Sequence, residues 1–203
     1  MLRLSRQLGL GSAAPSFRLP GVDSGSWALS DFEGSPGLLV AFICNHCPFV
    51  LHVLDDFVRF VRDYQSKGIQ TVAISSNDIA EFPEDDFEHM RLLSSERGFS
   101  FPYLRDETQE VAIAYGAICT PDFFLYGPDR KLFYAGQYDS SRPTINRPPV
   151  PGLPPLRTDL PVTGEDLRNA ADRLLAGETP PEPQRPSAGC SIKWLPGKDP
   201  SWA

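Results

Sequence analysis

Apolar residues run unbroken from 38 to 43, Leu-Leu-Val-Ala-Phe-Ile, and then change rhythm. From there Val50, Leu51, Leu54, Phe57, Val58 and Val61 recur at steps of three and four. The first pattern predicts a strand buried on both faces. The second predicts one face of a helix that stops near Lys67-Gly68. A further apolar run over 69–75 completes a β-α-β unit, so the two strands should be parallel. Residues 83–97 read as a helix whose acidic start, Glu84-Asp85-Asp86, is a solvated face complementing the dipole, with Gly98 as its stop. A short strand over 101–104 and a short helix over 107–115 follow. Two apolar runs flanking Gly127-Pro128-Asp129 predict an antiparallel hairpin. Short strands at 14–20 and 26–29 predict a second hairpin upstream, followed by one helical turn at Ser30-Asp31-Phe32. Thr163-Gly164-Glu165-Asp166 has the character of a helix N-cap, and that last helix stops at Gly177.

This order of elements predicts an α/β fold: three layers, α/β/α, around a central mixed sheet, with an N-terminal hairpin and an extended C-terminal tail. Residues 1–14 read as a loose lead-in, 15–177 as one domain and 178–203 as a Pro-rich tail. Residues 137–161 form a Pro-rich excursion carrying Arg142, Arg147 and Arg157. A disordered tail seldom spends Cys190, Ile192, Trp194 and Leu195 together, so the tail should pack back on the body.

Composition narrows the function. The chain of 203 residues is long enough for a substantial core, and its net charge of -7 comes without a basic stripe, which argues against nucleic acid. No apolar run reaches membrane-spanning length. Arg3 and Arg6 precede Leu8-Gly9-Leu10-Gly11, a stretch too short and glycine-rich for a signal core. The expectation is a cytoplasmic protein, where a disulfide-capable pair is redox-active rather than structural.

That pair is Cys44 and Cys47, standing between the buried strand and the helix. Free N–H groups and the positive dipole end at a helix start stabilise a thiolate. Cys44 should lie near the N-cap and be the more exposed thiol, with Cys47 one turn in and partly covered. Pro48 is tolerated in a first turn. A protonated His46 between the thiols would depress the thiolate pKa further, unless it is merely a solvated helix-start residue. A zinc site normally needs a second pair at ligand spacing, whereas Cys119 and Cys190 stand alone and His52 and His89 lack paired spacing. No metal is expected. Ser76-Asn77-Asp78 follows the second strand at the same end as the thiols, where open α/β sheets hold ligands; ordinary turn chemistry accounts for it equally. Thr120-Pro121, at a strand start, is a candidate cis peptide, with a trans proline on an edge strand as the alternative.

Five motifs in order carry a resemblance: Cys44-Asn-His-Cys-Pro48, Thr120-Pro-Asp-Phe-Phe-Leu125, Ser141-Arg-Pro143, Pro161-Val-Thr-Gly-Glu-Asp-Leu-Arg168 and Gly189-Cys-Ser-Ile-Lys-Trp194. With them the chain, from about Pro15 onward, resembles the thioredoxin-like superfamily, and more closely its peroxiredoxin-like, AhpC/TSA-related branch. The resemblance implies a thioredoxin-like fold, with Cys44 as the attacking thiol, Cys47 as the resolving thiol and Pro121 as the cis-proline facing them. It also implies that the Thr120 backbone offers strand-like hydrogen bonds to a substrate. His46 takes the place of the histidine in the Cys-Pro-His-Cys motif of strongly oxidising thiol oxidases. The chain departs from typical thioredoxins in having no carboxylate over 38–43. It departs from the peroxiredoxin pattern Pro-x-x-x-Thr-x-x-Cys too. If Cys47 is set on the last position, Cys44 stands at the threonine and Val40 at the proline.

The implied activity is thiol–disulfide exchange through a Cys44–Cys47 disulfide, with no other cofactor. Substrates would be protein or small-molecule thiols and disulfides, and a thioredoxin or glutathione system would be the external reductant. No nucleic-acid or membrane partner is expected. Peroxide reduction through a sulfenic acid and a non-enzymatic redox sensor are the alternatives. Cys119 and Cys190 are candidate auxiliary thiols, with a packing role the favoured reading for Cys190 because Ile192 and Trp194 look like packing residues.

Overall fold

The computed structural model describes residues 2–6, 8–144 and 157–202. Near the N-terminus are β1 (Leu2–Leu4), β2 (Arg18–Pro20) and β3 (Ser26–Ala28), with one 3-10 turn at Leu29–Phe32. The β-α-β unit is β4 (Gly37–Phe42), α1 (Pro48–Gln65) and β5 (Ile69–Ser75). Next come α2 (Phe87–Glu96), β6 (Tyr103–Arg105) and α3 (Glu110–Tyr115). β7 (Cys119–Thr120), β8 (Asp122–Tyr126), β9 (Leu132–Gly136), α4 (Glu165–Leu175) and β10 (Ala188–Ser191) complete the chain.

The main sheet has the order β6-β5-β4-β8-β9. β4 pairs in parallel with β5, and β5 with β6, while β8 runs antiparallel to both β4 and β9. The sheet is therefore mixed, as the sequence predicts. The six residues of β4 are all buried, and the strand's two-residue period divides them between two cores. Leu39, Ala41 and Ile43 join α1, Met90 of α2 and Leu167 of α4. Leu38, Val40 and Phe42 join Val111 and Tyr115 of α3. Helices thus cover both faces of the sheet.

Two features differ from the sequence reading. The predicted helix over 83–97 is a 3-10 turn at Pro83–Asp85 followed by α2, because the Asp86 carboxylate caps α2 by accepting from His89 N at 2.9 Å. The loose lead-in is not loose: Leu2–Leu4 pairs antiparallel with β10, and β10 pairs with β7. Backbone groups of this short segment find partners only at the other end of the chain, which no local pattern reveals.

Ile192 and Trp194 of the tail lie in the second core. The N-cap of α4 is Gly164 at φ 63°, within the stretch 163–166, and the Asp139 carboxylate accepts from both the Thr163 and Gly164 amides, at 2.7 and 2.8 Å. Much of the Pro-rich excursion, including Arg147, lies outside the described residues. No helix among the described residues is long and apolar enough to cross a membrane.

Candidate active site

β4 delivers the chain to Cys44, and Cys47 is itself the N-cap of α1, with Pro48 at the first helical position where no N–H partner is lost. Neither thiol is open to solvent: Cys44 is 1% exposed and Cys47 0%. The expected contrast between an exposed Cys44 and a half-covered Cys47 is absent, both thiols lying in the core cluster that also holds Cys190 of β10.

The peptide between Thr120 and Pro121 is cis, as the motif suggests. Thr120 meets both thiols. Its Oγ1 is 3.3 Å from Cys44 Sγ, and its carbonyl oxygen accepts from Cys47 Sγ at 3.2 Å while that sulfur is protonated. The outer edge of Thr120, expected to serve a substrate, is already paired: Cys190 stands opposite Thr120, and Ser191 opposite Cys119.

The two thiols differ in acidity. The hydrogen bond to Cys47, then burial and the charges of Cys47 and Asp85, push the Cys44 thiol well above its ordinary pKa. Burial pushes Cys47 up as well. Hydrogen bonds from Cys190, Cys44, the Thr120 side chain and the Val50 amide outweigh it, and Cys47 falls well below the usual range. Cys47 is thus the more acidic thiol of the pair. Cys119 is fully buried, and burial holds its thiol well above its ordinary pKa.

His46 does not act on Cys44 as the sequence suggests. Its Nδ1 is 2.7 Å from Asp85 Oδ2, and that close carboxylate partner raises the imidazole pKa against the cost of partial burial. The ring also stacks on Phe82 at 5.2 Å. The imidazolium is neutralised by Asp85, whose charge acts on Cys44 with the opposite sign.

Asp85 is the residue that the sequence reading missed. Taken there as part of a solvated acidic run, it is 0% exposed. Its carboxylate accepts from Asn45 N and Asn77 Nδ2, each at 2.7 Å, and forms an ion pair with His46 Nδ1 at 2.7 Å. Burial alone would raise its pKa, but His46 and Asn77 hold it below the usual carboxylate range. Asn77, which the sequence leaves between turn chemistry and the site, links this carboxylate to the tail: its Oδ1 accepts from Lys193 N at 2.9 Å. Gln109 holds the same segment, donating to Lys193 O and accepting from Leu195 N, both at 2.8 Å. Cys44, His46 and Asp85 each present one donor atom within 4.8 Å of the others, the spacing of a partial metal site. The hydrogen bonds just described already engage the Asp85 oxygens, so the cluster reads as an electrostatic network.

The buried Asp122 follows the cis-proline. Burial pushes its carboxyl well above the usual range, against the pull of Ser187, the Phe123 amide and Ser5, so it is neutral in the folded state. A carboxyl with a raised folded pKa supports folding below its unfolded pKa of about 3.9 and loses that support as pH rises toward the folded value. Asp122→Asn is expected to be more stable than the parent at pH 7 and nearly equal to it at about pH 3. Urea denaturation at both pH values checks this; a less stable variant at pH 7 would show that the carboxyl carries a charge.

The AhpC/TSA family model matches residues 10–135, more than half of the chain. The solved structure of an uncharacterized conserved protein from Geobacillus kaustophilus is 46% identical with a TM-score of 0.88, over 97% of this chain and 98% of that one. A thiol:disulfide interchange protein of the thioredoxin family from Chlorobium tepidum is 17% identical with a TM-score of 0.59, over 83% of this chain and 99% of that one. That likeness establishes the thioredoxin-like fold. Two proteins from Mycobacterium tuberculosis, provisionally named as peroxiredoxins, are 28% identical over 107 residues, or 53% of this chain. The match spans 63% of those relatives' own length.

Proposed function

Because this chain belongs to the AhpC/TSA family and has the thioredoxin-like fold, we propose that it is a thiol–disulfide oxidoreductase working through Cys44 and Cys47. The observation that carries this reading is the pair of thiols meeting Thr120 beside the cis-proline. The Cys47 thiolate attacks a sulfur of the substrate disulfide, forming a mixed disulfide and releasing one substrate thiolate. Cys44 then attacks Cys47 Sγ and releases the second, its proton passing to a departing thiolate. The charge distribution favours Cys47 as attacker, reversing the order implied by resemblance, since the thiolate is the nucleophile. Asp85 supports this division by keeping the proton on Cys44. Substrates are protein or small-molecule disulfides, and a cytoplasmic thioredoxin or glutathione system returns the pair to thiols. No metal or other cofactor takes part in these steps.

A second reading, peroxide reduction, is favoured by one feature: the more acidic thiol, Cys47, is the cysteine followed by Pro48. Nearby arginines are otherwise engaged. Arg105 donates to the carbonyls of Ser75 and Asn77, and Arg142 to the carbonyls of Asp139 and Ser141 and the Gln137 side chain.

Timed oxidation of the reduced protein, by a small-molecule disulfide in one sample and peroxide in another, distinguishes the readings. Exchange predicts rapid loss of two thiols with the disulfide, slow loss with peroxide, and a Cys44–Cys47 bond by peptide mass. Faster loss with peroxide would install the peroxidase reading instead.

A further inference from the structure

The substrate edge of Thr120 is occupied by the protein's own tail, and the tail places a third thiol there. Cys190 stands directly opposite Thr120 in an antiparallel pair. Side chains of such a pair project to the same face of the ladder. The Thr120 side chain projects to Cys44, so Cys190 projects toward the same two thiols. Cys190 and Cys47 are hydrogen-bonded, and Cys190 is 6% exposed within the core cluster that holds Cys44 and Cys47.

The approach depends on Gly189. A Cβ there would lie 2.1 Å from Thr120 O and 2.6 Å from Thr120 C. Only glycine lets the two backbones come this close. The strand is also tied at both ends. Ser5 and Ser187 exchange hydrogen bonds of 2.8 Å before it, and Ile192 N donates to Ile118 O at 2.9 Å after it. A covered, backbone-paired cysteine beside the more acidic thiol has the arrangement of a bound substrate.

We propose that β10 is an intramolecular substrate mimic, and that Cys190 exchanges with Cys47 as a third redox thiol. The proposal rests on the exchange reading of the site. After the Cys47 thiolate has attacked a substrate disulfide, the mixed disulfide lies within reach of Cys190 as well as Cys44. Cys190 attacks Cys47 Sγ, the substrate leaves as its second thiolate, and the Cys190 proton passes to a departing thiolate. Two protein thiols are oxidised and one substrate disulfide is reduced. The Cys47–Cys190 bond latches the tail in place. Cys44 then attacks Cys47, forms Cys44–Cys47 and releases Cys190 as a thiol, with no further change in oxidation state.

The test uses bis(2-hydroxyethyl) disulfide on the reduced full chain, with acid quenching and peptide mapping. Cys44→Ser is expected to lose two thiols, retain no adduct and yield a Cys47–Cys190 peptide. Cys44→Ser/Cys190→Ser is expected to accumulate the Cys47 adduct at a level at least about tenfold higher, because the neighbouring thiol's effective concentration is gone. Equal adduct in both variants, with a normal Cys44–Cys47 bond in the parent, would remove Cys190 and leave the exchange reading standing. A parent protein inert to the disulfide would overturn both. A second measurement needs no substitution: the parent, equilibrated in a glutathione buffer near half-oxidation, should show both bonds. Absence of Cys47–Cys190 there would also overturn the proposal.

Discussion

Asp85→Asn is expected to destabilise the protein by about 2 kcal/mol near pH 6 and to move the titrations of Cys44 and His46 downward. The carboxylate is buried, receives hydrogen bonds from Asn45 N and Asn77 Nδ2 and pairs with His46, and the Asn45 and His46 contacts lock the Cys44-Asn-His-Cys47 loop to the turn at Pro83–Asp85. The amide keeps the shape but loses the charge, and bonds to an ionised acceptor are roughly twice as strong as neutral ones.

The sign of the pH dependence follows from both partners. Asp85 has a lowered folded pKa, so its contribution is present above the unfolded value of about 3.9 and is lost as pH falls through the folded value. His46 has a raised folded pKa, so its contribution is complete below the unfolded value of about 6.5 and fades as pH rises through the folded one. The stability gap between parent and variant should therefore be widest between about pH 4 and 6.5, and should narrow on both sides. Urea denaturation across that range measures it. Alkylation against pH tests the electrostatic half. The Asp85 charge raises Cys44, so removing it should make Cys44 reactive at lower pH. A flat stability gap with an unshifted alkylation profile would mean that the carboxylate is neutral or its charge is not felt.

The legibility of this site in the sequence was uneven, for physical reasons. The strand and helix around Cys44 and Cys47 are set by local patterns, a continuous apolar run and a three-and-four rhythm, and both stand where expected. Thr120-Pro121 was legible because cis bonds are a proline feature and a strand start confines them. Asp85 was not. A carboxylate after Pro83-Glu84 looks like any helix start, and only the return of the β5 loop buries it against Asn77 and His46. A local cue did exist for the helix boundary: the Asp86 and His89 spacing is that of an N-cap and its acceptor site. The burial of Cys47 was illegible because Cys190 of β10, far away in sequence, interacts with it. That strand's small residues, Ala188 and Gly189, are chosen for backbone approach rather than for an apolar pattern.

Gly189→Ala is expected to undock β10 and to raise the alkylation rate of Cys47 by about tenfold or more, through loss of its cover and not through a lower pKa. The added Cβ would meet backbone atoms of Thr120, which cannot rotate away as a side chain would. Thr120 is itself fixed beside the cis-proline and against both thiols. The weaker partner is β10, held by its strand pairings and by the Ser187 and Ile192 bonds. The strain of overpacking, about 1–3 kcal/mol, is therefore relieved by moving the tail, and the main sheet stays intact. Undocking also removes the hydrogen bond from Cys190 that lowers the Cys47 pKa, so the thiolate fraction should fall. Exposure and acidity thus change reactivity in opposite directions. At pH 9, where the thiolate deficit is smallest, the variant should react much faster than the parent; at pH 6 the gain should be smaller. Gly9→Ala is the control, since nothing lies within 4 Å of the added methyl. Alkylation of Cys47 at both pH values, with thermal unfolding alongside, measures the outcome. A Gly189→Ala protein with unchanged unfolding and unchanged alkylation would mean that the tail does not press on Thr120 as closely as its register requires.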